Sequence, residues 1–455
     1  MQPRWGWKSI HRATQGSPAA PVNPGLNDVI PVGIQTKRLH LIGHASGIPL
    51  SPLTLTTAQA CRSLRRVECC AMTFEFATAG RVIFGRGTVK QLPSLCREYG
   101  TRAMVVTGSN PQRHAEVLES LTEAGVRRIG FQVSGEPTTN DILRGAEIAK
   151  AEKAELLIGL GGGSVVDAAK AIAAMATQPG ELFDYLEVIG RGQPLDHPPL
   201  PHLAVPTTAG TGAEVTRNAV LSSEEHRVKV SLRHHSMLPT VALVDPELAR
   251  DCPPEVTAAS GMDALVQCLE AYVSRKAQPL TDGLCLEGIR RAVRSLEAAV
   301  HDGNNLDARE DLALAALFSG MALANAGLGA VHGFAAPIGG QFHAPHGAVC
   351  AALLAPVWEA NLKKLRAKGD GAALARFDAI ARLLPIGSTQ AEAEDAVTYF
   401  RDLSQRLAIP PLRHYGIQET DHHDLARKAA ASSSMRGNPI ELDQEELVGI
   451  LRAAE

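Results

Sequence analysis

The chain has 455 residues, 45% of them hydrophobic and 20% charged, with a formal net charge of -3. These are ordinary values for a soluble globular protein of two or three domains, and the near-neutral balance gives nucleic acid nothing to bind. No apolar run approaches the ~18 residues that a membrane span needs, so a membrane partner is excluded too.

In chain order, residues 1–71 come first. They hold eight Lys and Arg against two acids, Asp28 and Glu68, and are rich in Pro, Ser, Thr and Gly. Nothing in them repeats with a helical or strand period, which predicts a disordered leader or extension. An acid-poor, Arg-containing stretch also suits a transit segment, which would make the protein mitochondrial rather than cytoplasmic. It lacks the apolar core and small-residue cleavage site of a secretory signal. Eight cysteines (Cys61, Cys69, Cys70, Cys96, Cys252, Cys268, Cys285, Cys350) form no C-x-x-C pair. They read as free thiols in a reducing compartment.

Patterned sequence opens at Met72. From 72 to 252 short apolar runs alternate with helical spacing. The runs are "RVIFG" (81–85), "AMVVTG" (103–108), "RIGFQV" (128–133), the strand of "AELLIGLGGGS" and the strand of "PHLAVPTTAGTG". Between them lie "HAEVLESLTEAG", "NDILRGAEIAKAEKA" behind an Asn140 cap, and "VVDAAKAIAAMA". Continuous apolar strands separated by helices predict an α/β domain, a parallel sheet covered on both faces. Ligands of such sheets bind at the carboxyl ends of the strands. After 252 strand-like runs become scarce. Ala- and Leu-rich segments such as 261–273, 281–299 and 309–326 predict an all-α domain over 253–455, with the active site in the cleft between the two.

Two loops follow strands in the first domain. "LLIGLGGGSVVDAAK" puts Gly161, Gly162, Gly163 and Ser164 between a strand and a helix. Glycines let the backbone approach a pyrophosphate, and the helix N-terminus offers free N–H groups and the positive end of its dipole. A tight turn with no ligand uses the same glycines. The spacing is not G-x-G-x-x-G, which disfavours a standard Rossmann domain. "VPTTAGTGAEVT" (205–216) clusters Thr207, Thr208, Thr211 and Thr216 with two glycines, hydroxyls suited to ribose, phosphate or nicotinamide amide.

In the second domain, Asp263 and Gln267 of "GMDALVQCLEAYVS" lie four residues apart, on one face of a helix. His332 and His346 follow downstream, each before a glycine. Asp and two His read as three ligands of a divalent metal. A fourth would be expected one turn after Asp263, where Gln267 stands. Either Gln267 ligates through its amide oxygen, or no metal binds and Gln267 orients Asp263 or the substrate while His332 or His346 acts as acid–base.

Taken together, "GGGSVVDAAK", "PTTAGTGAEVT", "GMDAL…LEAYVS" and "GLGAVHGFAAPIGGQFHAPHGAVCA" resemble the iron-containing (group III) alcohol dehydrogenase family, from Met72 to the C-terminus. The resemblance implies a dehydroquinate synthase-like architecture, a Rossmann-like α/β domain followed by a helical one. It implies NAD or NADP in the cleft and a divalent metal, Fe(2+) or Zn(2+). By motif, Gly161 to Ser164, Asp167, Thr207, Thr208, Thr216 and Lys229 would hold the cofactor. Asp263, Gln267, His332 and His346 would take the metal, and His332, His346 and His343 are the catalytic candidates. Family members commonly carry His in place of Gln267 and a second His in place of Ala336.

The implied activity is hydride transfer between nicotinamide and a primary or secondary alcohol, aldehyde or ketone. Relatives that reduce maleylacetate or transfer hydride between hydroxyacids and oxoacids are alternatives, with Arg275 and Lys276 as basic candidates. An inactive nucleotide-binding protein is a third. No carboxylate follows the first cofactor strand, where Gly108 and Ser109 stand with Arg113 close by, so NADP(H) is expected to be tolerated. The expected partners are a small alcohol or aldehyde and no macromolecule, with homo-oligomerisation left open.

Overall fold

The structure, a computed structural model, describes residues 73–455 apart from 227 and 389. The expected leader, 1–71, lies outside the described residues. Six parallel strands form one sheet in the order β1 (Val82–Phe84), β8 (Val241–Val244), β5 (His202–Pro206), β4 (Leu156–Gly161), β2 (Arg102–Thr107), β3 (Arg127–Gln132). β2, β4 and β5 are buried along almost their whole length, as continuous apolar runs covered on both faces must be. The chain steps from β2 outward to β3 on one side, and from β4 through β5 to β8 on the other. The order therefore reverses between β2 and β4, where ligands of open α/β sheets bind.

The expected helices are present at Ala115–Glu123, Thr139–Ala151 and Gly163–Met175. The second is capped by Thr138, two residues before the cap expected at Asn140. Thr138 accepts from Asp141 N, and the Asp141 carboxylate returns the contact to Thr138 N, a reciprocal capping box. Several elements escaped the sequence reading, among them the Leu92–Tyr99 helix, β8 and a two-stranded hairpin. β6 (Asn218–Ser223) and β7 (Val228–Arg233) pair antiparallel as a separate hairpin.

From Pro254 onward every regular element is helical among the described residues. The Pro254–Val273 helix is buried on all sides from Gly261 to Val273, so it is the axis of this half. Pro279–His301, Leu306–Ala326 and His346–Lys368 pack around it. The core runs from Leu265, Leu269, Ile289 and Leu312 to Trp358, whose ring meets Phe377 at 4.4 Å and Phe400 at 5.4 Å. The strands end with β8 and the long helices begin at Pro254, yet both halves belong to one compact unit, Met72–Glu455. No single helix among the described residues is long and apolar enough to cross a membrane.

Candidate functional site: two cofactor-type loops on a buried donor cluster

The loop after β4 turns at Gly161 and Gly162 and enters the Gly163–Met175 helix. Among the described residues no side chain caps this helix, so its leading N–H groups face outward with the positive end of the dipole. Opposite lies the loop after β5. Thr207 N donates to Gly161 O at 2.9 Å, and Thr208 and Thr211 stand over Gly162 and Gly163. A Cβ on Gly163 would meet Thr211 Oγ1 at 2.5 Å, so the two loops touch through small groups alone. Gly161, Gly162, Gly163, Ser164, Thr207 and Thr208 thus share one mouth beside the sheet's reversal point.

The remaining cofactor candidates are engaged elsewhere. Lys170, 1% exposed, sends its ammonium across the loop to Ala213 O (2.8 Å), Asn218 O (2.7 Å), Thr216 Oγ1 (3.1 Å) and Asp167 Oδ1 (3.3 Å). Asp167 also accepts from Val220 N at 3.0 Å. Burial pulls the Lys170 ammonium below its ordinary pKa and pushes the Asp167 carboxyl above its own. Thr216 and Asp167 are therefore struts of a buried tie between helix, loop and hairpin. Lys229, on β7, pairs with Glu136 and has its side chain only 6% exposed, close against Gly339.

The second loop reaches the helical half without a gap. A Cβ on Gly212 would meet Gly320 Cα at 2.5 Å, and one on Gly210 would meet Ser260 Cβ at 2.7 Å, one turn before Asp263. Gly347 abuts the backbone of Ala259 with room for no side chain, which presses the start of the His346–Lys368 helix onto the helix that carries Asp263.

There the donors converge. His332 Nε2 lies 3.1 Å from Asp263 Oδ1, His346 Nε2 lies 3.7 Å from the same oxygen, and Cys350 Sγ lies 3.7 Å from His332 Nε2. Ligand atoms of Asp263, His332, His346 and Cys350 all lie within 4.8 Å of one another. A tetrahedral ion with bonds of about 2.0–2.3 Å sets its ligands roughly 3.3–3.8 Å apart, so the donor set fits a divalent ion in size and chemistry. Asp263, His332 and Cys350 are buried, and the His346 side chain is 36% exposed, which leaves its side of the cluster as the way in.

His332 is held from behind. Its Nδ1 lies 2.7 Å from Glu270 Oε2, and Glu270 also accepts from Val331 N at 2.7 Å. One carboxylate thus caps the Ala330–Phe342 helix and turns the imidazole so that Nε2 faces Asp263, the usual support behind a ligating histidine. Burial disfavours charge here, but the histidines and the Gln267 amide together hold the Asp263 carboxyl below its ordinary range. The same mutual attraction lowers the Cys350 thiol and raises His332 well above the usual imidazole value.

Of the expected donors, Asp263, His332 and His346 meet. Gln267 stands beside them, hydrogen-bonded at both ends of its amide. Its amide nitrogen donates to Asp263 Oδ2 at 3.1 Å, and its oxygen accepts from Ser319 Oγ at 2.8 Å. The amide thereby holds the Asp263 carboxylate in place. His343 also lies apart. It is exposed and closes the Ala330–Phe342 helix with a left-handed backbone, φ 50°. Arg275 follows the end of the Asp263 helix, about 15 Å along its axis from the cluster, and donates to Pro439 O. Sequence reasoning missed Cys350, Glu270 and Lys170. Cys350 follows His346 by one turn, the only signal that could have found it.

Two family models cover most of the chain: iron-containing alcohol dehydrogenase over residues 79–246, and the C-terminal part of the same family over 257–455. Alcohol dehydrogenase 4 of Saccharomyces cerevisiae (strain YJM789) is 34% identical over 377 residues, 82% of this chain and 96% of that one. The NAD-dependent methanol dehydrogenase of Bacillus methanolicus is 32% identical over 382 residues, 82% and 97% of the two chains. A crystal structure of 1,3-propanediol oxidoreductase superposes with a TM-score of 0.78 at 35% identity, over 84% of this chain and 100% of that one. With both halves matched and the same architecture recovered, this chain belongs to the iron-containing alcohol dehydrogenase family and is an alcohol dehydrogenase.

Proposed function

We propose that the enzyme oxidises small alcohols, and reduces the corresponding aldehydes or ketones, with the dinucleotide on the two glycine-rich loops and a divalent ion among Asp263, His332 and His346. The observation that carries this reading is the contact between the sites. The loop that would line the nicotinamide end packs through Gly210 and Gly212 directly on the helices that bear Asp263 and Ser319.

The reaction moves an electron pair and one hydrogen from the carbinol carbon to nicotinamide and releases the hydroxyl proton. A bound divalent ion lowers the pKa of that hydroxyl and polarises the carbonyl in the reverse direction. The protein supplies the rest. The leading N–H groups of the Gly163–Met175 helix hold the pyrophosphate. Asp263 supplies fixed negative charge. Glu270 locks His332 with Nε2 toward the cluster, and His346 borders the open side by which substrate enters. Gly108 and Ser109 after β2 present no carboxylate to repel a 2′-phosphate, which supports use of NADP(H) beside NAD(H).

The relatives named for methanol and 1,3-propanediol favour a small primary alcohol over a dicarboxylate, and Arg275 stands too far from the cluster to favour the latter. Turnover of a panel of alcohols and aldehydes with both cofactors, before and after exhaustive chelation, tests the reading. Chelation should abolish turnover and a divalent ion should restore it. Asp263→Asn should lower kcat/KM on the order of 10³-fold with cofactor affinity unchanged. Full turnover without stoichiometric metal would sink the metal role.

A further inference from the structure

We infer that Cys350 is the fourth protein ligand of the metal, a thiolate in the place that Gln267 leaves empty, and that it makes the site prefer zinc to iron. The inference rests on the reading that this cluster holds the metal.

Gln267 is committed to its neighbours at both ends of its amide. The nitrogen side holds Asp263 Oδ2 and the oxygen side accepts from Ser319. Turning the amide oxygen toward an ion would break both contacts inside a buried site and leave polar groups there unpaired. A neutral amide oxygen is also a weak donor for a transition metal.

Cys350 suffers neither handicap. It follows His346 by four residues on the His346–Lys368 helix, so both side chains leave the same face. Its thiol is fully buried and sits 3.7 Å from His332 Nε2, within 4.8 Å of ligand atoms of Asp263 and His346. A buried cysteine usually serves as a small apolar filler, and other buried cysteines here fit that description. Cys268 Sγ donates to the Ala315 carbonyl at 3.9 Å and meets no ring nitrogen or carboxylate among the described residues. The sulfur of Cys350 instead points at two ring nitrogens and a carboxylate.

Charge agrees with geometry. Asp263 and a Cys350 thiolate carry two negative charges between neutral imidazoles, which balance a dication in a place where unpaired charge is expensive. Thiolate is a soft ligand, and His, Cys and carboxylate together suit zinc.

The test uses the full chain, stripped of metal and reloaded without oxygen. With Co(II), the parent should bind one ion per chain and show near-ultraviolet thiolate-to-cobalt charge-transfer absorption. Cys350→Ser should lose that absorption, weaken zinc binding at least tenfold in chelator competition, and narrow the zinc-over-iron ratio. Gln267→Ala should keep the absorption. X-ray absorption of the zinc-loaded parent needs no variant, and should find a sulfur neighbour at about 2.3 Å. One bound ion with only nitrogen and oxygen neighbours overturns the Cys350 assignment and leaves the metal reading standing. A charge-transfer band that survives in Cys350→Ser also overturns it. If the parent binds no ion, both readings fall.

Discussion

In the α/β half, the groups proposed to hold the dinucleotide lie between Gly161 and Thr211, directly after two adjacent strands, and most are backbone or hydroxyl. In the helical half, Asp263, His332, His346 and Cys350 come from three helices and meet as side chains in a buried centre. The first arrangement follows from local chain geometry, since a strand that ends in glycines before a helix presents free N–H groups wherever it occurs. The second exists only when long-range packing is right. It should therefore be the more fragile, with one qualification. The cofactor loops also hang on a buried side chain, Lys170, which joins the Gly163–Met175 helix to Ala213, Thr216 and Asn218.

That qualification yields the largest expected effect. Lys170→Met keeps the volume but strips the loop and hairpin carbonyls of their donor and leaves Asp167 without its cation. Breaking a buried pair in this way costs about 3–5 kcal/mol. Urea unfolding should show that loss, and the KM for cofactor should rise more than kcat falls. A change under ~1 kcal/mol would mean that the main chain holds the loops unaided, and the contrast between the halves would be sharper than drawn here.

The next effect lies in the helical half. Glu270→Gln keeps the shape behind His332 but removes the carboxylate. Metal affinity should fall about 10–100-fold, read by chelator competition, with secondary structure intact. Unchanged affinity would show that packing alone orients the His332 ring.

The contrast also explains what was legible. The strand-and-helix alternation, the two loops and the switch to helices could be read because each is written in adjacent residues. The β6–β7 hairpin could not. Its 218–233 run holds three Ser, two Glu and three Lys or Arg, half of it faces solvent, and its turn resembles any polar loop. Asp263, His332 and His346 were visible through their motifs. Their supports were not, because residue type alone suggests other roles. Lys170 sits in an Ala-rich helix and looks like its solvent face. Glu270 looks like a surface acid, and Cys350 like core. Only the tertiary contacts reveal the four carbonyl, hydroxyl and carboxylate oxygens around Lys170, the ring nitrogen at Glu270 and the donors around Cys350. Lys229 and His343 present the opposite case. Both types suit catalysis, yet one is spent on Glu136 and the other closes a helix at the surface.

The smallest effect concerns a residue that belongs to neither site. His202 lies on β5, 3% exposed, and neither ring nitrogen has a hydrogen-bond partner among the described residues. A Cβ on Gly159 of the adjacent strand would stand 3.2 Å from its Nε2, so the ring is wedged under the sheet's cover. Burial first, and then the nearby Lys170 ammonium, lower its pKa from 6.5 to about 3. The unfolded chain binds a proton here that the folded one refuses, across the whole interval from about pH 3 to 6.5. Stability must therefore rise with pH in that window. The contribution is complete above the unfolded value and is lost progressively as pH falls toward 3. From pH 7 to pH 5.5 the loss from this group alone is about 1 kcal/mol. His202→Leu removes the titrating group and the two unpaired nitrogens together, so its unfolding midpoint in urea should fall less steeply than the parent's between those pH values. The buried donor cluster also carries titratable side chains, so the comparison belongs in metal-saturated protein, where its ligands are held deprotonated. Parallel pH profiles for parent and variant would show that the His202 ring is hydrated in the fold, and that the sheet is looser beneath β4 and β5 than its packing indicates.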